Sequence, residues 1–276
     1  MNPGIKFKSF SSGSCGNCYF LGYVDSEGKL SDAILIDAGV SPRRIRRELQ
    51  RENLDPESIR AVLVTHDHLD HIRSLGSFCK TLKLPVWVPP ALDTALRRHP
   101  FTKLQFASFS NVLSGEGWTA IPGTGLEAKW FEVPHDAKFT VGYSLIFHGR
   151  RFVFVTDCGK LTDEAVEEAS KADTVVFESN YDADMLRNGP YPEELKARIC
   201  GGNGHISNDE CADAVRRFFH PGLRQLFLCH LSDHNNTPEL AFRAVGKALD
   251  EVAPPEGPRP QLVPLPRETP SALFNL

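Results

Sequence analysis

The chemistry of this chain is concentrated in one seven-residue stretch, Thr65-His66-Asp67-His68-Leu69-Asp70-His71, which closes the apolar run Ala61-Val-Leu-Val64. Side chains two apart share a face in extended backbone, so His66 and His68 can reach one metal ion together. Where the chain turns into a helix, Asp70 and His71 swing toward a second ion beside the first. Imidazoles with a minority of carboxylates suit zinc, and also admit manganese or iron. With this chain's histidine and aspartate content, a coincidental polar loop of the pattern is expected on the order of once in a thousand sequences.

Three further residues stand at or just past the ends of predicted strands: His135, Asp157 and His230. Alone, His135 after Glu132-Val-Pro134 reads as a surface-loop histidine and Asp157 as a turn residue. Beside an HxHxDH element, all three read as ligands, because strand ends can converge on one rim. Asp37 is expected behind the ligands, where a carboxylate orients imidazoles or holds a loop by hydrogen bonds. His99, His148, His220 and His234 lack such placement and read as surface histidines.

The elements that must position these residues follow a repeated grammar. Ala33-Ile-Leu-Ile-Asp37-Ala-Gly39 leads into a helical stretch from Pro42 to about Asn53 and then the strand at Ala61. Phe152-Val-Phe-Val-Thr-Asp157-Cys-Gly159 leads into a helical stretch from Thr162 to about Ala172 and then Thr174-Val-Val-Phe177. Two copies of strand, Asp-x-Gly, helix, strand predict a pseudo-duplicated α/β unit: two packed sheets with helices outside, an αββα sandwich in one domain over residues 1–276. More strands are expected at Lys6 to Phe10, Tyr19 to Tyr23, Pro85 to Val88, Lys129 to Val133, Gly142 to Phe147 and Arg224 to Cys229. Ser207 with Glu210 predicts a capping box before Cys211 to Phe219, and Thr237-Pro238 starts a helix over Glu239 to Val252. From Pro254 the chain is proline-rich, with an edge strand near Leu262 to Leu265. The stretch from Phe101 to Gly125 is expected to form a loop over the site.

Composition sets the class. The chain has 276 residues, 41% of them apolar, enough for a large core. No apolar run approaches the roughly 20 residues that span a bilayer, and the start lacks an apolar h-region. Seven scattered cysteines suit a reducing compartment, so a soluble, cytoplasmic protein without an obligate protein partner is expected. Cys15-Gly-Asn-Cys18 reads as a tight glycine turn rather than a metal or redox pair. A net charge of −4 argues against a broad basic footprint for long nucleic acid. The run Arg43, Arg44, Arg46, Arg47 and Arg51 reads as a solvated, ion-paired helix face, with Arg44 and Glu48 four apart.

Taken in order, Asp37, the element His66 to His71, His135, Asp157 and His230 resemble the metallo-β-lactamase superfamily. The resemblance implies a dinuclear centre with two divalent ions, zinc or manganese, iron also being admitted. His66, His68 and His135 would hold the first ion, Asp70, His71 and His230 the second, and Asp157 would bridge them. It also implies hydrolysis by a metal-activated water without a covalent protein nucleophile, leaving Cys158 structural. The bond remains open, since such sites serve thioesters, lactams and phosphodiesters.

Glu178-Ser-Asn-Tyr181 and Gly204-His205-Ile-Ser207 resemble motifs of the nucleic-acid-processing β-CASP branch, without that branch's large inserted domain. His205 precedes a helix start, where backbone N–H groups favour an anion such as phosphate. Ser11 to Tyr19, Leu35 to Gly39, Glu178 to Asp182, Gly204 to Asn208 and His230 to Asn236 further resemble the WalJ (YycJ) group, which implies a DNA exonuclease. DNA is favoured over RNA as substrate and 5′ to 3′ action over the reverse. Asp70, Glu178 and His205 are then the catalytic candidates, and Ser14, Gly16, Asn17, Asn180 and Ser207 the substrate-binding ones. Two alternatives stay open: a thioester or lactone hydrolase of glyoxalase II type, and a metal-stabilised regulatory protein without catalysis.

Overall fold

Residues 2–276 are described in a computed structural model of the chain. Two seven-stranded sheets face each other. The first runs β14 (Phe274–Asn275), β1 (Gly4–Gly13), β2 (Gly16–Val24), β3 (Leu30–Ile36), β4 (Ile59–Leu63), β5 (Val86–Val88) and β6 (Ser110–Val112). The second runs β13 (Gln261–Pro264), β12 (Gln225–Cys229), β11 (Thr174–Glu178), β10 (Arg150–Val155), β9 (Val141–Phe147), β8 (Leu126–Glu132) and β7 (Thr119–Ile121). Helices α1 (Pro42–Arg51), α2 (Leu69–Ile72), α3 (Leu75–Ser77) and α4 (Pro90–Arg98) belong to the first sheet's side. Helices α5 (Asp163–Ala169), α8 (Asn208–Phe218) and α9 (Pro238–Val252) cover the second. Between α5 and α8 the chain makes two more, α6 (Ala183–Asn188) and α7 (Glu193–Cys200).

Strand periodicity explains the four layers. In β3, Ala33 and Leu35 point to the α1 side while Ile34 and Ile36 point between the sheets; in β12, Leu226 and Leu228 face the helices while Phe227 and Cys229 face the other sheet. A strand buried on both faces reads as an uninterrupted apolar run, which is how these segments appear in the sequence. The central layer is aromatic, with Phe7 4.5 Å from Phe227 and 6.2 Å from Phe154 between ring centroids across the two sheets.

The repeated grammar becomes one parallel strand-helix-strand unit in each sheet, β3-α1-β4 and β10-α5-β11. Both predicted caps form: Ser207 and Glu210 make a reciprocal capping box on α8, and Thr237 caps α9. Ser14 and Cys15 make the β1-β2 turn, with Cys15 exposed, while Gly16 to Cys18 already belong to β2 and Cys18 is buried.

Two expectations are corrected. Glu48 pairs with Arg47 and Arg51, not with Arg44, which reaches the carbonyl of Glu268 instead. The stretch from 101 to 125 does not cover the site; it carries β6 and β7, the edge strands by which the chain passes from one sheet to the other. His148 is exposed, as read, and bonds Asp32 at 2.9 Å while stacking on Tyr23. Among the described residues, no helix is long and apolar enough to cross a membrane.

Candidate metal centre

The HxHxDH element lies where β4 runs out of sheet. Thr65 fixes it from both sides: its N–H and hydroxyl donate to the Asp37 carboxylate at 2.8 and 2.9 Å, and its carbonyl accepts from Val141 of the opposite sheet at 3.0 Å. His68 keeps extended backbone as the residue before α2, so Asp70 and His71 fall in the first helical turn, with the His71 ring centroid 4.0 Å from that of His66. Asp37 and His230, each just after a strand, take left-handed φ values of 63° and 55°. Such non-glycine geometry persists only where the surroundings hold it. Here Asp37 N–H donates to Leu63 and His230 N–H to the Ser12 hydroxyl.

Four overlapping groups of side chains result, each with its potential ligand atoms within 4.8 Å of one another. One is His66, His68 and His135; another is Asp70, His71 and His230. Asp157 joins His66 and His71 in the third, and Glu178, His205 and His230 in the fourth. It therefore lies between the first two, with carboxylate oxygens 3.1 Å from His71 Nε2 and 3.7 Å from His135 Nε2.

Outer hydrogen bonds decide which ring nitrogen faces inward. Nδ1 of His71 donates to Asp37 at 2.7 Å, that of His135 to the Gly204 carbonyl at 2.8 Å, and those of His230 and His205 to Glu178 Oε1 at 3.0 and 2.7 Å. Each bond fixes the Nδ1–H form and leaves an Nε2 lone pair for the interior, the arrangement by which proteins orient histidine ligands. His66 Nε2, His230 Nε2 and Asp157 Oδ2 are buried without an aligned hydrogen-bond partner. Polar atoms buried in this cluster without a partner are costly unless cations are bound there. The residues present fit a metal site by this criterion.

Charge tells the same story. Burial alone would drive His71 down, but Asp37, Asp70 and Asp157 hold it well above the usual histidine range. His230, also opposed by burial, is pushed up to about 10 by Asp157, Asp70 and Glu178. Asp157, which burial would raise, is held well below the carboxylate range by His230 and His71. His66, desolvated and next to His71, is pushed well below 6.5 and stays neutral. The carboxylates thus draw protons onto neighbouring imidazoles where a cation would otherwise sit.

The cleft above this cluster has a volume of about 410 Å³ and is lined by His68, Asp70, His135, Asp157, His205 and His230. Ser14 and Asn180 reach it; Gly16, Asn17 and Ser207 do not. Asn17 is buried, its amide donating to Asp70 Oδ2 at 3.0 Å and lying 2.9 Å from His71 Nε2, so it meets both side chains at atoms that face the cluster. The Ser207 hydroxyl is engaged in capping α8, and Gly16 packs under the Gly39 carbonyl. Glu178 lies beneath the floor, fully buried, its second oxygen accepting the N–H groups of Cys158 and Ile206. Cys158 is buried and its thiol is pushed up by desolvation, which leaves it inert.

Sequence reasoning missed Asp136, Tyr191 and Arg198, which also line the cleft; His234, exposed as expected, lines it too. Arg198 pairs with Asp136, which lies 3.4 Å from His135 and 3.7 Å from His68. The only local signal was that Asp136 follows a candidate ligand.

With two facing sheets, outer helices and this cluster at the strand ends, the fold and site define a class, and the chain belongs to it: residues 32–231 match the Beta-lactamase superfamily domain. It is 32% identical over 253 residues to Exodeoxyribonuclease YycJ of Bacillus anthracis, with 90% of each chain covered. Identity is likewise 32% over 249 residues to Exodeoxyribonuclease WalJ of Streptococcus pneumoniae, again over 90% of each. Among solved structures, the metallo-beta-lactamase fold protein YhfI from Bacillus subtilis superposes with a TM-score of 0.70 at 15% identity, covering both chains completely.

Proposed function

We propose that the chain is a dinuclear metal-dependent phosphodiesterase that removes nucleotides from an end of DNA, in the 5′ to 3′ direction. His66, His68 and His135 would hold one divalent ion, Asp70, His71 and His230 the other, and Asp157 would bridge them; zinc and manganese both suit this donor set, and iron is admitted. Bound there, the two ions would supply Lewis acidity toward the scissile bond and activate a water for in-line attack.

The observation that carries the phosphodiester reading is His205. It is an imidazole in the cleft beyond those the two ligand sets use, held by Glu178 at 2.7 Å and only 3.7 Å from Asp157. Burial opposes its protonation, but Glu178 and Asp157 raise it. Anchored through Nδ1, His205 in its protonated form would donate from Nε2 to a phosphoryl oxygen, or give its proton to the departing sugar oxygen. A thioester or lactone has no comparable oxyanion cluster in its ground state for such a donor to hold. Asp70 and Asn17 keep His71 in place, Asp37 fixes its tautomer, and Ser14 and Asn180 offer hydrogen bonds at the cleft wall. The names of the two curated relatives support DNA as the polymer, and a reducing, cytoplasmic setting agrees with seven free cysteines.

The test is incubation of the metal-loaded protein with single-stranded DNA labelled at either end, beside acyl thioesters. Mononucleotide release from the 5′ end, lost in His66→Ala and much reduced in His205→Ala, is expected. Thioester turnover by a protein that leaves DNA intact would replace this reading with the glyoxalase-like one.

A further inference from the structure

Helix α7 is unusual for a helix in a packed protein: none of its eight residues is buried. Its apolar side chains are nevertheless not scattered. Leu195 and Ile199, four apart and so on one helix face, both line the metal cleft, and Tyr191 lines it one turn earlier. An apolar stripe turned into a cleft instead of a core calls for an occupant.

The wall is preformed. Arg198 Nε bonds Asp136 Oδ2 at 2.5 Å, tying α7 across to the loop of His135, and the Ile199 carbonyl accepts the His205 N–H at 2.8 Å. Lys196 reaches back to the Arg187 carbonyl at 2.8 Å, closing the turn between α6 and α7. His234, from the loop after β12, meets the Tyr191 ring edge-on with centroids 5.8 Å apart and an interplanar angle of 80°. One cleft therefore has a metal-ligating, charge-rich floor and an aromatic and aliphatic side wall.

We propose that Tyr191, Leu195, Ile199 and His234 form a base-binding wall, on which the terminal nucleobase stacks while its phosphate lies at the metal-ligating cluster. The proposal rests on the phosphodiesterase reading above and specifies which part of the substrate the cleft grips. A nucleotide is a ligand that joins a flat, largely apolar ring to a phosphate. The volume of about 410 Å³ lies at the small end of the range of about 300–1,000 Å³ in which proteins hold small ligands, which suits one nucleotide. Stacking also explains how such a site would accept any sequence, since every base has a π face.

The experiment compares two single strands that differ only in the nucleotide at the attacked end, intact in one and abasic in the other, using metal-loaded wild type, Tyr191→Ala and Tyr191→Phe. Wild type is expected to lose about tenfold in kcat/KM on the abasic end, mainly through KM. Tyr191→Ala should show that loss already on the intact strand and be indifferent to the missing base, and Tyr191→Phe should restore discrimination. Metal content measured on each variant separates a misfolded protein from one lacking the wall; if Tyr191→Ala fails to load metal, discrimination by wild type decides alone. Equal cleavage of both strands by wild type, or undiminished discrimination by Tyr191→Ala, would overturn the base-binding wall while leaving the phosphodiesterase reading intact. A wild type inert on both strands would overturn both.

Discussion

Replacing Glu178 by glutamine exchanges an acceptor for a donor in a pocket that offers only donors. One carboxylate oxygen takes the Nδ1–H groups of His205 and His230 at 2.7 and 3.0 Å; the other takes the backbone N–H of Cys158 at 2.9 Å and of Ile206 at 3.3 Å. Whichever way the amide of Glu178→Gln turns, its NH₂ faces two N–H groups. Hydrogen bonds to a charged group are worth about 1.5–3 kcal/mol, and a buried donor left unsatisfied costs about 1–3 kcal/mol. With relaxation of the rings, a loss of about 2–5 kcal/mol in unfolding free energy is expected. The imidazoles can escape the clash by moving the proton to Nε2, which removes the His230 lone pair from the metal side; loss of such an outer partner typically weakens metal binding by about 10–100-fold. Urea unfolding of the metal-free protein reads the first effect and competition against a chelator of known affinity the second. A Glu178→Gln protein within about 0.5 kcal/mol of wild type and unchanged in metal affinity would refute the argument that Glu178 sets the tautomers.

Gly39→Ala should destabilise by about 3 kcal/mol or more, because an added Cβ would lie 1.7 Å from the Asp70 carbonyl oxygen and 2.6 Å from the Asn17 nitrogen, both backbone atoms; thermal unfolding would show it, together with weakened metal binding as the Asp70 turn is displaced. In the metal-free protein, His230 raised to about 10 stabilises fully below the ordinary value of 6.5 and loses this as pH climbs through about 10, whereas Asp157, held below 3.8, stabilises above 3.8 and loses this as pH falls. The combined contribution is therefore largest between 3.8 and 6.5, and apparent metal affinity should rise with pH above that window as the imidazole protons are displaced, which pH-dependent unfolding and metal titration would check. Because the Phe7, Phe154 and Phe227 cluster is shared by both sheets, residues 1–276 should unfold as one domain in a single urea transition, and two resolved transitions would contradict this.

What was legible in the sequence was whatever local geometry dictates. His66 and His68 could be paired because strands alternate, and Asp157 and His230 could be recruited because each ends an apolar run. The α8 and α9 starts could be read because their capping residues are adjacent in the chain. What stayed hidden depends on docking between distant segments. Asn17 touches His71 only because β2 lies beside the α2 turn, and Arg198 meets Asp136 only once α7 folds over the rim. Ser207 was legible as a cap from Glu210 three residues on, and that cap takes up the hydroxyl that was also read as a substrate contact. The two-residue strand β14 pairs with β1 across nearly the whole chain and leaves no local pattern to read.

The central claim is that two ions held by these seven side chains cleave phosphodiester bonds at a DNA end. It is tested most directly by counting bound metal and following end-labelled single-stranded DNA on the same preparation. Two ions per chain with stepwise shortening, and both lost together in His230→Ala, is the expected result. A protein carrying its full metal complement that leaves the DNA uncut would contradict the account.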